Sequence, residues 1–181
     1  MESLKKGKSG MREVRVVCYD ASWKDIFWSE SFALKEVLKD NVSHIHHIGS
    51  TAIPGMSAKP IIDILIEAYT LEAVDSREGE LGELGYSAYG ENGILNRRFF
   101  SKGGDRRTHH VHIYQAGDRN IERHLAFRDY LISYPEKAKE YSGQKRMLAA
   151  KYPCDIEGYI AGKDELVKRL EAEALFWYRS R

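Results

Sequence analysis

Residues 47–63, HIGSTAIPGMSAKPIID, decide the fold of this chain. They run into a nearly continuous apolar stretch, residues 61–66 (IIDILI), of the kind that forms a central β-strand covered on both faces. Pro54 and Gly55 interrupt the apolar pattern and mark a loop before this strand. The sequence therefore predicts a turn and a loop that lead into a buried strand.

The segments around this strand show helix and strand patterns. Residues 23–38 repeat apolar side chains at helical spacing after Asp20 or Ser22, and either residue can cap a helix. Pro135 and Asp155 stand where two further helices can begin. Besides the buried strand at 61–66, the predicted elements are a strand near residues 14–17, helices at 23–38 and 70–84, a short strand or turn at 45–48, strands at 97–100 and 109–114, and helices after residues 120, 135 and 155.

These elements predict a mixed α/β (α+β) fold with a sheet-containing part at residues 13–117 and a helical part at residues 118–181. The chain has 181 residues, of which 43% are hydrophobic, and this is near the usual size of one domain. We therefore expect residues 13–181 to form a single domain. Residues 1–12, in which Lys, Gly and Ser dominate, predict a flexible tail.

The charge balance argues against a nucleic-acid or membrane partner. Twenty-eight basic and 27 acidic residues leave a net charge of +1, so no field of the whole molecule attracts polyanions. No apolar run is long enough for a signal peptide or a membrane span, which predicts a cytoplasmic protein. Cys18 and Cys154 are too few for a metal knuckle or a disulfide framework, and we expect free thiols.

A phosphate site is predicted at the turn that precedes the buried strand. Backbone N–H groups at Gly49 can approach a phosphate closely, while Ser50 and Thr51 add hydroxyl donors and Lys59 adds a cation. The competing interpretation is structural. The glycine is then only a turn residue, the hydroxyls are helix caps, and the lysine is a solvated surface charge.

Asp63 is the most conspicuous candidate, because a carboxylate inside an apolar strand needs a partner or a metal. His110 and His112 share one face of the predicted strand HHVHIY, and imidazole with carboxylate suits Zn²⁺ or Mn²⁺ better than Mg²⁺. The alternatives are a buried ion pair of Asp63 with Arg97 or Arg98, and histidines that only form hydrogen bonds.

The run HIGSTAIPGMSAKPIIDI closely resembles the signature of the GrpB family, also described as UPF0157. The resemblance extends over residues 13–170. Its further landmarks, in chain order, are Tyr19 with Trp23, Gly85-Tyr86, Arg98-Phe99-Phe100, the HHVHIY strand, the segment FRDYL that contains Arg128, Tyr141 with Lys145, and Tyr159 with Lys163.

The resemblance implies a nucleotidyltransferase-like mixed β-sheet with packed helices and a helical C-terminal region. In that superfamily a Gly-Ser turn holds the triphosphate and two acids spaced D-x-D bind divalent metal, and Gly49, Ser50 and Asp63 match the first parts of this pattern. The chain departs from it at Leu65, which occupies the position of the second acid. Arg98 and Arg128 fall in family landmarks, and their guanidinium groups suit phosphate oxygens. For Arg128 a helix-surface pair with Asp129 is the alternative.

The sequence supports two functions, and a third interpretation is an interaction scaffold whose helical C-terminal part docks on a partner. The first is metal-dependent nucleotidyl or phosphoryl transfer, in which Asp63 and His112 are catalytic and Asp63, His110 and His112 hold Mg²⁺, Mn²⁺ or Zn²⁺. The second is a non-catalytic module that binds a nucleotide, a CoA-related molecule or another anionic metabolite, and the missing second acid supports it. In both, the expected partner is a small phosphate-bearing molecule. The sequence leaves the oligomeric state open.

Overall fold

The computed structural model describes residues 13–181, which form a mixed α+β fold with five strands and six α-helices. The predicted α+β class is confirmed. In chain order the elements are α1 (Ser22–Leu38), β1 (Val42–Ile48), β2 (Ile62–Ala68), α2 (Leu71–Asp75), α3 (Glu78–Glu83), β3 (Tyr86–Ala88), β4 (Arg98–Lys102), β5 (His109–Gln115), α4 (Arg119–Ser133), α5 (Pro135–Lys151) and α6 (Ile156–Arg179).

The five strands form one mixed sheet in the order β1-β2-β5-β4-β3. Strands β2 and β5 at its centre run parallel, and the other neighbouring pairs are antiparallel. The register places Asp63 between Ile48 of β1 and His110 of β5. Because side chains alternate along a strand, these three residues lie on the same face of the sheet.

The two faces of the sheet pack against different helices. On one face Ile62, Ile64 and Ile66 join a core with Trp23, Phe27 and Leu34 of α1. The opposite face carries Asp63 and Leu65 of β2 and turns toward the C-terminal helices, where Leu65 packs with Ile48, Tyr114 and Ile121. The helices α4, α5 and α6 share a further core with Ile53 and Met56 of the loop before β2. The face that carries Asp63 is therefore covered by the C-terminal helices.

Most predicted elements form, but two differ. The predicted strand at residues 14–17 is reduced to a single bridge between Val17 and Ala58, because Val14 donates its N–H to the carbonyl oxygen of Pro153 instead. The helix predicted at residues 70–84 is divided into α2 and α3 at Ser76, whose hydroxyl donates to the carbonyl oxygen of Ala73 and competes with continued helix. The predicted tail, residues 1–12, lies outside the described residues.

Within residues 13–181, none of the helices combines the length and apolar character needed to cross a bilayer. Cys18 and Cys154 are free and exposed. The cytoplasmic location and the single-domain organisation stay predictions.

Candidate functional site

A cavity of about 310 Å³ lies on the face of the sheet that carries Asp63. Strands β1, β2 and β5 form its floor, and helices α4, α5 and α6, together with the turn and loop between β1 and β2, form its wall. Its lining includes the residues Gly49, Ser50, Thr51, Lys59, Asp63, His110, His112, Arg123, His124, Phe127, Tyr141, Lys145, Tyr159, Lys163 and Glu171. The cavity therefore brings the predicted turn, Asp63 and both predicted histidines together.

Gly49 turns the chain directly over Asp63. Its backbone has φ +69° and ψ −172°, a region that only glycine adopts without strain. A Cβ atom at this position would lie 2.6 Å from Oδ2 of Asp63, which is shorter than any ordinary contact. Gly49 is thus required for its conformation and for the close approach of the turn to the carboxylate.

Ser50 and Thr51 follow in a short 3₁₀ turn, and their hydroxyl groups have different partners. Oγ of Ser50 accepts a hydrogen bond of 2.7 Å from Nζ of Lys145. Oγ1 of Thr51 is hydrogen-bonded to Nε2 of His47 at 2.9 Å, and the His47 ring stacks on Phe27 with 4.7 Å between centroids. Burial lowers the pKa of His47 to about 4, so this imidazole is neutral at pH 7. The Thr51 hydroxyl is therefore bonded to a neutral histidine, whereas the Ser50 hydroxyl is bonded to Lys145 of the cavity.

Three lysines from different parts of the chain converge on the cavity. Lys145 of α5 is only 3% exposed, and its ammonium group lies 4.4 Å from the ring centroid of Tyr141. Lys59 and Lys163 lie 5.5 and 5.7 Å from the centroid of the Tyr159 ring. Burial, reinforced by the like charge of Lys163, lowers the pKa of Lys145 to about 7, and burial also lowers the pKa of Lys163. Three lysine side chains are therefore grouped at one cavity.

Asp63 is paired with imidazoles. Nδ1 of His110 donates to its Oδ1 at 3.1 Å, and Nε2 of His112 lies 3.7 Å from the same oxygen. Burial raises the pKa of Asp63, but the neighbouring imidazoles of His110 and His112 outweigh it and hold that pKa well below its usual range. Burial lowers the pKa of His112, although Asp63 opposes this change. The carboxylate is thus ionised beside the mostly buried imidazole of His112.

The predicted metal role of Asp63, His110 and His112 gains no support from this arrangement. Across residues 13–181, no three or more His, Cys, Asp or Glu side chains are grouped in a way that could hold a metal ion. Both histidines direct a nitrogen at one oxygen of Asp63, and Leu65, in place of a second acid, is completely buried. The metal site stays a prediction.

The structure does not bring Arg98 and Arg128 to the cavity. Arg98 points away from it and binds both carboxylate oxygens of Asp75. Arg128 donates to the carbonyl oxygen of His47 at 3.1 Å and to Asp129 at 2.7 Å. The contact with Asp129 is the helix-surface pair given above as the alternative to a phosphate role. Arg128 therefore fixes α4 to the end of β1 just before the Gly49 turn.

Several lining residues were not predicted as site residues, namely Arg123, His124, Tyr141, Lys145, Tyr159, Lys163 and Glu171. Four of them carry a signal in the sequence, since Tyr141 with Lys145 and Tyr159 with Lys163 repeat a Tyr-x₃-Lys spacing in two successive helices. Residues four apart share one face of a helix. This spacing could have indicated two lysines aimed at one place.

The fold and the site together define a class: a mixed α+β protein with a cation-rich cavity between its sheet and its C-terminal helices. A family model described as "GrpB protein" matches residues 13–173, and the chain belongs to the GrpB family. The GrpB resemblance predicted from the sequence is confirmed.

Two relatives show how much of the chain is shared. The UPF0157 protein YqkA of Bacillus subtilis is 49% identical over 170 residues, which cover 94% of this chain and 50% of that protein. This chain thus spans about half the length of that relative. The crystal structure of conserved protein GrpB from Enterococcus faecalis is 44% identical, has a TM-score of 0.88, and covers 91% of this chain and 99% of that chain.

A weaker likeness is to a solved structure of a different protein. Terminal uridylyl transferase 4 from Trypanosoma brucei, solved with bound CTP, is 15% identical with a TM-score of 0.43. The likeness covers 88% of this chain and 52% of that chain.

Proposed function

We propose that the cavity binds a small phosphate-bearing molecule, such as a nucleotide, with the phosphate held between the Gly49-Ser50 turn and the lysines. The observation that carries this proposal is Lys145, a side chain that is 3% exposed and whose ammonium group is hydrogen-bonded to Ser50. Within the described chain neither Lys145 nor Lys163 forms an ion pair with a carboxylate. Burying an ammonium group without a counter-charge is costly, and a bound anion removes that cost.

The arrangement also suits the shape of a phosphate group. Lys59, Lys145 and Lys163 approach from a loop and two helices, so their ammonium groups can surround one anion. The hydroxyl group of Ser50, which is bonded to Lys145, adds a hydrogen-bond donor for the phosphate. Cations and hydroxyl groups around a small-residue turn are a common way to bind phosphate.

Calorimetric titration of the full chain with nucleotides, CoA precursors and sugar phosphates tests the proposal, after a thermal-shift screen of the same compounds. A ligand at 100 times its dissociation constant adds about 2.7 kcal/mol of stability, which such a screen detects. We expect Lys145→Gln to weaken binding at least tenfold. Lys139→Gln on the exposed side of the same helix is the matched control and leaves binding unchanged. Equal binding by wild type and Lys145→Gln would contradict the proposal.

Transfer chemistry is the second candidate, and the pairing of Asp63 with His110 and His112 beside the cavity favours it. An ionised carboxylate next to an imidazole can orient that imidazole to accept a proton from a bound hydroxyl group or water. Turnover of a nucleoside triphosphate that Asp63→Asn abolishes would support this candidate. Binding without turnover, in the presence and absence of Mg²⁺, Mn²⁺ and Zn²⁺, would support the non-catalytic module.

A further inference from the structure

We propose, resting on the proposed function, that Arg123 and Glu171 form a second subsite of the cavity, which binds the end of the ligand that lies away from the phosphate. The group that this subsite takes is uncharged and presents a hydrogen-bond donor next to an acceptor, as an amide or a nucleobase does. The position of the pair, its hydrogen bonds and the wall between the two subsites support this ligand class.

Helix α6 runs along the cavity from one subsite to the other. Four of its residues line the cavity at a spacing of four, namely Tyr159, Lys163, Val167 and Glu171. Residues at this spacing share one face of a helix. Glu171 lies eight residues beyond Lys163, which is about 12 Å along the helix axis. The pair of Glu171 with Arg123 therefore lies at the other end of the cavity from the lysines that hold the phosphate.

The pair compensates its own charges and keeps further hydrogen-bonding capacity. Nη1 of Arg123 donates to Oε1 of Glu171 at 2.7 Å. A guanidinium group has five N–H donors and a carboxylate has two acceptor oxygens, so this contact uses only part of their capacity. The two side chains are 30% and 27% exposed, and a ligand in the cavity can reach them. The pair therefore favours a neutral group that offers a donor to Glu171 and an acceptor to Arg123.

His124 orients the guanidinium group of Arg123. Nη2 of Arg123 lies 3.4 Å from Nε2 of His124, and because a guanidinium group only donates, this ring nitrogen is the acceptor. Burial, reinforced by His112 and Arg123, lowers the pKa of His124 to about 3, so its imidazole is neutral at pH 7. The guanidinium group is thus held between His124 and Glu171, and its direction is set before a ligand binds.

The wall between the two subsites is aromatic and apolar. Phe127 lies one turn of α4 beyond Arg123, and its ring centroid is 5.9 Å from that of Tyr141. Tyr141 in turn lies 4.4 Å below the ammonium group of Lys145. Val167 of α6 lies on the same wall. Aromatic side chains stack on flat rings, so this wall suits a ring between the phosphate and the amide-type edge.

A calorimetric titration of the full chain in EDTA tests the inference with the 5′-monophosphates of adenosine, guanosine, cytidine and uridine, and with ribose 5-phosphate, which lacks the base. We expect the best nucleotide to bind at least tenfold more tightly than ribose 5-phosphate. Equal affinities, or no binding of a nucleotide, overturn this inference. The proposed function fails only if the CoA precursors and sugar phosphates do not bind either.

Two variants give an independent readout, the ratio of nucleotide affinity to ribose 5-phosphate affinity, in which effects on the phosphate subsite cancel. We expect Glu171→Gln, which loses the charged acceptor, to lower this ratio at least threefold. Arg123→Lys, which keeps the charge but loses the planar fork of donors, should lower it as well. Glu165→Gln, exposed on α6 outside the cavity lining, is the matched control and keeps the ratio. An unchanged ratio in either variant overturns the inference, even with reduced stability, because the pair then only joins α4 to α6.

Discussion

Gly49 and Asp63 are in such close contact that a Cβ atom on Gly49 would lie 2.6 Å from Oδ2 of Asp63. Their contact joins the end of β1 to the start of β2, and it places the Gly49-Ser50 turn over an ionised carboxylate. The turn can adopt this position because its φ of +69° and ψ of −172° are open to glycine. The geometry of the site therefore depends on the absence of one side chain.

Gly49→Ala should destabilise the protein and prevent phosphate binding. The new methyl group meets the carboxylate, and the backbone conformation costs about 1 to 3 kcal/mol for any residue other than glycine. Urea unfolding measures the loss of stability, and calorimetry measures the loss of binding. Gly143→Ala in α5 is the control, since nothing lies within 4 Å of its added Cβ. A helix gains about 0.5 to 1 kcal/mol from that change.

Phosphate binding should weaken as the pH rises through 7. The Lys145 pKa is lowered to about 7, and its ammonium group holds an anion only while it is protonated. Above that pKa, affinity falls by up to about tenfold per pH unit. Calorimetric titrations between pH 7 and 9 measure this decline in a range where a phosphate monoester, with a second pKa of about 6, is already a dianion. Lys163, Lys59 and Arg146 oppose protonation of Lys145, and Asp63 favours it.

Lys145→Arg separates charge from titration. Arginine stays protonated throughout this range, so the decline in affinity between pH 7 and 9 should largely disappear. If the variant keeps the full pH dependence of the wild type, the titrating group lies elsewhere.

The stability of the free protein should rise with pH, whereas its affinity for phosphate falls. Lys145 titrates at pH about 7 when folded and near its ordinary value of 10.5 when unfolded, so the unfolded chain binds the extra proton between these values. Stability therefore rises with pH in this window and levels off above it. Urea unfolding of wild type and Lys145→Gln at pH 7 and pH 9.5 measures the difference. We expect the rise to be smaller in the variant, and an equal rise in both would assign it to another group.

The sheet part of the site could be predicted from the sequence, because it depends on local patterns. Asp63 follows the small-residue turn and stands in an apolar strand, and His110 with His112 alternate on a second strand. Parallel pairing of β2 and β5 in register then brings these groups together. A carboxylate in an apolar strand indicates a site residue from the local sequence alone.

The helical part could not be derived in the same way. Lys145 is 95 residues from Ser50 in the sequence, and only the packing of α5 against the sheet brings them within 2.7 Å. Arg98 was named because it falls in a family landmark, and its position outside the cavity depends on a distant residue as well, since Asp75 of α2 binds its guanidinium group. The valines at 14–17 have strand propensity, yet only Val17 forms a bridge, and its partner Ala58 lies outside the five strands. Tertiary contacts determine the positions of Lys145, of Arg98 and of the segment at residues 14–17.

Asp63→Asn should distinguish binding from metal-dependent transfer. If the anion is held by the lysines alone, removal of the negative charge under the turn strengthens monophosphate binding about threefold or more, since like charges at close range repel. If a metal ion bridges Asp63 and the ligand, the same change weakens binding. Glu67→Gln, at the far end of the same strand and paired with His46, is the control. Titrations with EDTA and with Mn²⁺ measure both cases.

Ser142→Ala should destabilise the protein through the loop between the Gly49-Ser50 turn and Lys59. Oγ of Ser142 in α5 accepts a hydrogen bond of 2.8 Å from the N–H group of Ser57, and both residues are buried. The substitution leaves that N–H group without its partner, which costs about 1 to 3 kcal/mol. Faster exchange of the Ser57 amide hydrogen would locate the effect, and urea unfolding would give its size. Ser133→Ala, exposed at the end of α4, is the control. Should Ser142→Ala be no less stable than this control, then the loop is held on α5 by its apolar contacts, Ile53 and Met56, and not by the hydrogen bond.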